Sequence, residues 1–373
     1  MPVLALLNKV FRPRSWRWSQ CRYLLLGIPL TGCLALADAE LPENFAELSD
    51  DVQSVILEFM FFPDRANKVW GRDLAVSGVR SLVKYLDNYH TQVRIDFDAG
   101  TIHIENRGSK TPLQALTHAI EATLLTPADP AAVDLRTAAD FGLTGTPFLA
   151  GKVKDHDGQL IEYSWRARRY AEYLVANQLQ QESNRYWVSI PMVQEFQQVS
   201  AQQYGTLVQQ AAIRYSVPAP LILAIIETES SFNPFAVSPS GAYGLMQVMS
   251  RTAGKDVYEK IYQRSGSPGR DVLLRPEQNI DIGTAYLSIL RDRYLRDIQG
   301  TEKQLYCMIA SYNGGAGNLY KTFHSDREKA VARINAMSAS QVYRTILSSH
   351  PSQESRNYLK KVSAAQTRYG GGT

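Results

Sequence analysis

The run Leu221-Ile222-Leu223-Ala224-Ile225-Ile226-Glu227-Thr228-Glu229-Ser230 constrains this chain more than any other stretch of it. At helical spacing its apolar side chains cover the whole circumference, so the helix belongs inside a core with other elements packed around it. Two carboxylates at the end of such a helix are unfavourable unless each is paired or used. Glu227 and Glu229 lie about 200° apart around the helix axis and point in nearly opposite directions. They therefore cannot be the acid and base of one site. One of them is expected to be structural, bonded to the following backbone or to an arginine. Ser231-Phe232-Asn233-Pro234 stops the helix just beyond Glu229, which puts that side chain at a helix end facing a cleft.

The 373 residues give room for two domains. From 51 to 88 apolar residues recur at helical spacing (Val52, Ile56, Phe59, then Leu74, Val79, Leu82, Val83, Leu86), with Pro63 breaking the run. Val93, Ile95 and Phe97 alternate with charged residues, Ala99-Gly100 turns the chain, and Ile102 and Ile104 alternate on return, which predicts a hairpin. Leu113, Leu116, Ile120 and Leu124 predict an amphipathic helix. A second hairpin is expected at Asp155-His156-Asp157-Gly158, a helix from Trp165 to Leu179 and a strand at Tyr186, Val188 and Ile190. This first domain, 46–195, is expected to be α+β. After Pro191 strand signals vanish, and helices are expected near 200–216, 219–231, 241–250, 279–296, 302–311, 339–348 and 353–368, punctuated by prolines. The second domain, 196–373, is expected to be all-α. The polar segment 251–279, rich in Gly, Pro and Arg, is too long for a tight connection and is expected to be a loop or a flap over the cleft.

The N-terminus has the layout of a secretory leader over residues 1–32, with a tether over 33–45. A basic stretch to Arg22 precedes the short apolar run Tyr23–Leu30, and Leu30-Thr31-Gly32-Cys33 is similar to a bacterial lipobox. Lipidation of Cys33 is expected, with an ordinary signal peptide as the alternative. Forty Lys and Arg against 36 Asp and Glu give +4, but Lys9, Arg12, Arg14, Arg17 and Arg22 all lie in the leader. The rest carries 35 basic against 36 acidic groups, so its charge makes no case for nucleic-acid binding. Of the three cysteines, Cys21 would leave with the leader and Cys33 would be acylated. Cys307 is left in an apolar stretch as a core residue. The six histidines show no ligand spacing, so neither a metal nor a cofactor is expected.

Four runs then stand in order: Glu229-Ser230-Ser231-Phe232-Asn233-Pro234 with Ala236-Val237-Ser238; Gly241-Ala242-Tyr243-Gly244-Leu245-Met246-Gln247; Ala310-Ser311-Tyr312-Asn313-Gly314-Gly315; and Glu354-Ser355-Arg356-Asn357-Tyr358-Leu359. Together they resemble the signature of the soluble-lytic-transglycosylase, or goose-lysozyme-like, superfamily. Ser311 departs from the alanine that relatives often carry.

The resemblance implies a lysozyme-like catalytic domain that cleaves the MurNAc–GlcNAc bond of peptidoglycan strands without water. It assigns Glu229 as acid and then base, and the product is a 1,6-anhydro-muramic end. Burial against Ile225, Ile226 and Met246 is expected to favour the protonated acid. Ser238 and Tyr358 are implied around Glu229 or the acetamido group, Met246 and Gln247 at the scissile sugar, and Tyr312 and Asn313 along the cleft. Met246 equally suits packing, and Ser238 a turn. Arg264, Arg270 or Arg275 would meet the carboxylates of peptide stems, or simply be solvated. A water-using muramidase is the main alternative, with Asp256, Asp271 or Asp281 as its second carboxylate; a non-catalytic peptidoglycan-binding scaffold is another. Leu34 after Cys33 resembles an outer-membrane address, which implies lipid anchoring at the periplasmic face. The first domain is open to three roles: spacer, glycan guide, or docking site for other cell-wall enzymes.

Overall fold

A computed structural model describes residues 66–128, 130 and 146–370. Cys33, the leader and the periodic stretch at 51–62 lie outside the described residues. The chain forms two compact units, the first ending at Phe196 but also taking in Phe235–Ala242, the second comprising Gln197–Pro234 and Tyr243 onward. The α+β character of the one and the helical character of the other follow the sequence expectation.

The first unit is built on an antiparallel sheet in the order β1-β2-β3-β5-β4. Its strands are β1 (Ser81–Leu86), β2 (Thr91–Asp96), β3 (Thr101–Arg107), β4 (Gln180–Glu182) and β5 (Arg185–Pro191). The expected hairpin is β2–β3: Val93 faces Ile104 and Ile95 faces Ile102. Asp96 Oδ1 closes its turn by accepting from the amides of Asp98 and Ala99 at 2.9 and 2.8 Å. Gly100 supplies the φ of +63° that the turn needs. Helices α1 (Pro112–Leu124) and α2 (Ser164–Asn177) bury Leu116, Ile120, Leu124, Ala167, Ala171 and Leu174 in one core with the sheet residues Ile95, Ile102, Ile104 and Val188. Phe235 completes that core, its ring edge-on to Phe148 at 5.4 Å.

Leu82, Val83 and Leu86, expected on a helix, form β1 instead. Leu82 and Leu86 fit either period, and pairing with β2 in register Leu82↔Ile95 decides for the strand. The same unit buries Lys152, which is 3% exposed. Its ammonium donates to the Phe148 carbonyl at 2.5 Å, and burial pulls its pKa down to about 7. A lysine with a lowered folded pKa binds fewer protons folded than unfolded between pH 7 and 10.5, so its penalty grows as pH falls through that window and is complete below it. Lys152→Met is expected to flatten the rise of the unfolding free energy between pH 7 and 10. Urea titrations at pH 7 and 9.5 of both proteins read that slope.

The second unit contains α3 (Phe196–Gln203, from its second residue), α4 (Gly205–Tyr215), α5 (Ala219–Ser230), α6 (Lys255–Lys260), α7 (Arg270–Leu273) and α8 (Pro276–Ile289). These are followed by α9 (Thr301–Gly314), α10 (Ala316–Phe323), α11 (Arg327–Ala336), α12 (Ala339–Ser349) and α13 (Gln353–Gly370). As its composition demands, α5 is the buried helix, with Leu221, Ile222, Ala224, Ile225 and Ile226 fully enclosed and α4 and α13 packed against it. The helix expected at 241–250 does not form. Gly241, Gly244 and Gln247 have φ of +79°, +70° and +46°, incompatible with a right-handed helix, and only the short strand segments Ala242–Tyr243 and Val248–Met249 appear there. Nor is 251–279 a plain loop, since it holds α6, α7 and the first turn of α8. These helices are too short to leave a periodic signature. No helix among the described residues is long and apolar enough to cross a membrane.

Candidate active site

Helix α5 ends where Ser231 turns left-handed, at φ +50°. The Ser230 hydroxyl donates to the carbonyls of Ile226 and Leu245 and so ties the helix end to the Gly244–Met246 loop. The two carboxylates separate as their geometry requires. Glu227 turns to α13, where Arg368 pairs with it and the Tyr369 hydroxyl donates to it at 2.6 Å. Of the two partners open from the sequence, the following backbone or an arginine, the structure gives it an arginine. Glu229 is half-buried, on the side where α9 and α13 bring Tyr312 and Tyr358.

Both tyrosines have pKa values pushed well above the usual phenol range. Burial is the main cause, and the nearby Glu229 charge adds to it. They stay neutral donors at physiological pH, so they surround Glu229 with low-dielectric rings and no competing charge. The Tyr312 hydroxyl donates to the Met246 carbonyl at 2.9 Å. The Tyr358 hydroxyl faces Glu229 closely enough for that carboxylate to raise its pKa through hydrogen bonding, though it falls short of strict bond geometry. Asn313 joins α9 to α13, donating to Glu354 at 3.2 Å and accepting from the Ser355 hydroxyl at 2.7 Å. Gly314 permits this approach, because a Cβ there would lie 2.5 Å from Ser355 Oγ.

Met246 differs from the role the resemblance implies. It is 0% exposed, with Sδ 4.0 Å from Thr284 Oγ1, so its side chain presents no surface to a sugar and it contributes its carbonyl instead. Gln247 is half-exposed and turns its amide back onto the Gly244 carbonyl at 2.9 Å. Ser238 lies in the segment grouped with the first unit, where its hydroxyl accepts from the Ala242 amide at 2.9 Å and closes a turn. Sequence reasoning missed Asn279, Gly283 and Tyr286 on α8. The available signal was a polar residue and a glycine four apart in an otherwise apolar helix stripe. Ser311 is fully buried, and its hydroxyl meets no hydrogen-bond partner among the described residues. Ser311→Ala is therefore expected to stabilise the protein by about 1 kcal/mol, seen as a higher Tm.

Two of the three candidate second carboxylates are held by partners. Asp281 accepts from Arg214, from the Tyr215 hydroxyl at 2.7 Å and from the Tyr262 hydroxyl. Asp256 is held by Lys260 and by the Tyr294 hydroxyl at 2.7 Å. Asp271 is exposed on α7. A cavity of about 460 Å³ opens beside Arg214, Tyr215, Tyr262 and Asp281, but none of the residues around Glu229 lines it.

The helical unit sets the half-buried carboxylate of Glu229 at the end of its buried central helix, near two neutral tyrosines, which suits the acid-catalysed glycan cleavage of the lysozyme-like class. The description "Transglycosylase SLT domain" matches residues 206–335, and "Membrane-bound lytic murein transglycosylase C, N-terminal domain" matches residues 50–203. Membrane-bound lytic murein transglycosylase C of Yersinia pestis (strain Pestoides F) is 46% identical over 314 residues, 83% of this chain and 87% of its own length. The protein of that name from Yersinia pseudotuberculosis serotype O:1b (strain IP 31758) matches to the same extent. The chain belongs to the membrane-bound lytic murein transglycosylase C family. Among solved structures, the 70 kDa soluble lytic transglycosylase SLT70 from Escherichia coli is similar at 29% identity and a TM-score of 0.35, over 45% of this chain and 24% of that one.

Proposed function

We propose that this protein is a peptidoglycan lytic transglycosylase in which Glu229 alone does the proton chemistry. The observation that carries this is the fate of the other carboxylates: Glu227, Asp256 and Asp281 are each held by a cation and at least one tyrosine hydroxyl. That engages Asp256 and Asp281, two of the three candidates for activating water opposite Glu229, and leaves only the exposed Asp271, which favours the muramyl C6 hydroxyl as nucleophile over hydrolysis.

In the proposed cycle Glu229 gives its proton to the glycosidic oxygen as the bond to C1 of the muramyl residue breaks. The 2-acetamido group stabilises the cation at C1. The C6 oxygen then bonds to C1 and its proton passes to Glu229, which returns to its starting state. No water is consumed and the new end is a 1,6-anhydro sugar. Tyr312 and Tyr358 hold the pocket around the acid, while Gln247, Asn313 and Ser238 remain proposed sugar contacts. Mass spectrometry of products from purified sacculi tests this: anhydro ends are expected, and reducing muramic ends would establish the hydrolase instead.

Lipidation at Cys33 and anchoring at the periplasmic face of the outer membrane are part of the same proposal. They rest on the lipobox-like Leu30-Thr31-Gly32-Cys33, the following Leu34 and the membrane-bound naming of the relatives. The first unit is proposed as a spacer, a glycan-guiding surface or a docking site for other cell-wall enzymes.

A further inference from the structure

We propose that Asn279 is the positioning residue of this centre: through the Met246 backbone it fixes the Tyr312 hydroxyl beside Glu229. The proposal rests on the assignment of Glu229 as acid and base.

Asn279 sits in the first turn of α8 and is 0% exposed. Its carboxamide binds three segments at once. Oδ1 accepts from the Met246 amide at 2.7 Å, and Nδ2 donates to the carbonyls of Tyr243 and Leu273, both at 2.7 Å. Both donors are used, and neither Asp, which lacks them, nor Leu, which lacks all polar atoms, reproduces the set. The approach is tight enough that a Cβ on Gly244 would lie 2.5 Å from Nδ2.

Four and seven residues further along the same helix face stand Gly283 and Tyr286. Gly283 makes room for the Met246 side chain, since a Cβ there would meet Sδ at 2.6 Å. Met246 is thus gripped at its amide by Asn279 and at its sulfur by the Gly283 notch, which leaves its carbonyl one direction. That carbonyl takes the Tyr312 hydroxyl, and the Tyr286 ring, 5.8 Å from the Tyr312 ring, braces it from the side. One face of α8 therefore templates the wall beside Glu229 without touching substrate. While the Tyr312 hydroxyl is engaged with Met246 it does not stabilise the Glu229 anion. Once released, it can turn to the carboxylate and hold it ionised, which depletes the acid form.

The test is Asn279→Asp, assayed on soluble uncross-linked glycan strands across the pH range, with kcat expressed per folded molecule. The expected result is a fall in kcat of about 10–100-fold with KM changed less than roughly 3-fold. The alkaline limb of the kcat profile should move to lower pH. The same substitution in a Tyr312→Phe background is expected to cost little more, because the hydroxyl it releases is gone. Gly283→Ala, which presses Met246 from the other side, should give the same pH shift even where Asn279→Asp folds poorly. An unmoved pH limb in both variants, or full additivity with Tyr312→Phe, would overturn the proposal. Product analysis reads separately: reducing ends from the unsubstituted protein would remove the transglycosylase assignment and leave the positioning result standing.

Discussion

Glu229→Gln is expected to lower peptidoglycan turnover by about 10³-fold or more while leaving binding to sacculi intact. Glutamine keeps the shape of the side chain but carries no transferable proton at neutral pH. General acid and general base help are each worth about 10²–10⁴-fold, and here one group supplies both. Co-sedimentation with sacculi reads binding, and release of anhydro-muropeptides reads turnover. Retention of more than about a tenth of the activity would end the single-carboxylate mechanism. Glu227→Gln makes the comparison within one helix. It weakens the contact with Arg368 and Tyr369, so it should cost stability and leave the products unchanged.

Gly244→Ala is expected to cost about 3–5 kcal/mol of stability and most of the activity with it. Its φ of +70° is strained for any residue with a Cβ, and that Cβ would lie 2.5 Å from both the Leu273 carbonyl oxygen and Asn279 Nδ2. One of those neighbours is backbone and the other is held by three hydrogen bonds, so neither yields easily. Gly241 separates strain from clash. Its φ is +79°, but a Cβ there would meet nothing within 4 Å, so Gly241→Ala should lose only about 1 kcal/mol. Equal losses at the two glycines, measured by denaturant titration, would contradict this account.

Part of the candidate site was legible in the sequence. The apolar helix and its stop put Glu229 at a helix end, the resemblance singled it out as the proposed acid and named Tyr312 and Tyr358, and the structure brings those two tyrosines near it. The tight α9–α13 contact at Gly314 was legible only as a glycine pair. Met246 was not legible. A methionine in a glycine-rich loop reads equally as a cleft residue or a core filler, and only the notch at Gly283, 37 positions away by sequence number, settles it as the latter. Asn279 escaped for the same reason: its partners at Tyr243, Met246 and Leu273 come from segments whose paths are not periodic.

By itself the sequence determined what local periodicity and chain stereochemistry encode. It set the α+β and all-α halves, the β2–β3 hairpin, the burial of α5 and the opposite directions of Glu227 and Glu229. Tertiary structure decided which of two equal periods β1 would take, that 242–249 would run as glycine-bent chain and not as helix, and where each polar group would find its partner. Glu227 shows why. Its need for a partner is written in its own helix, but the partner is Arg368, 141 residues on. A buried charge demands compensation wherever packing brings it, and only the packed core fixes which residue that is.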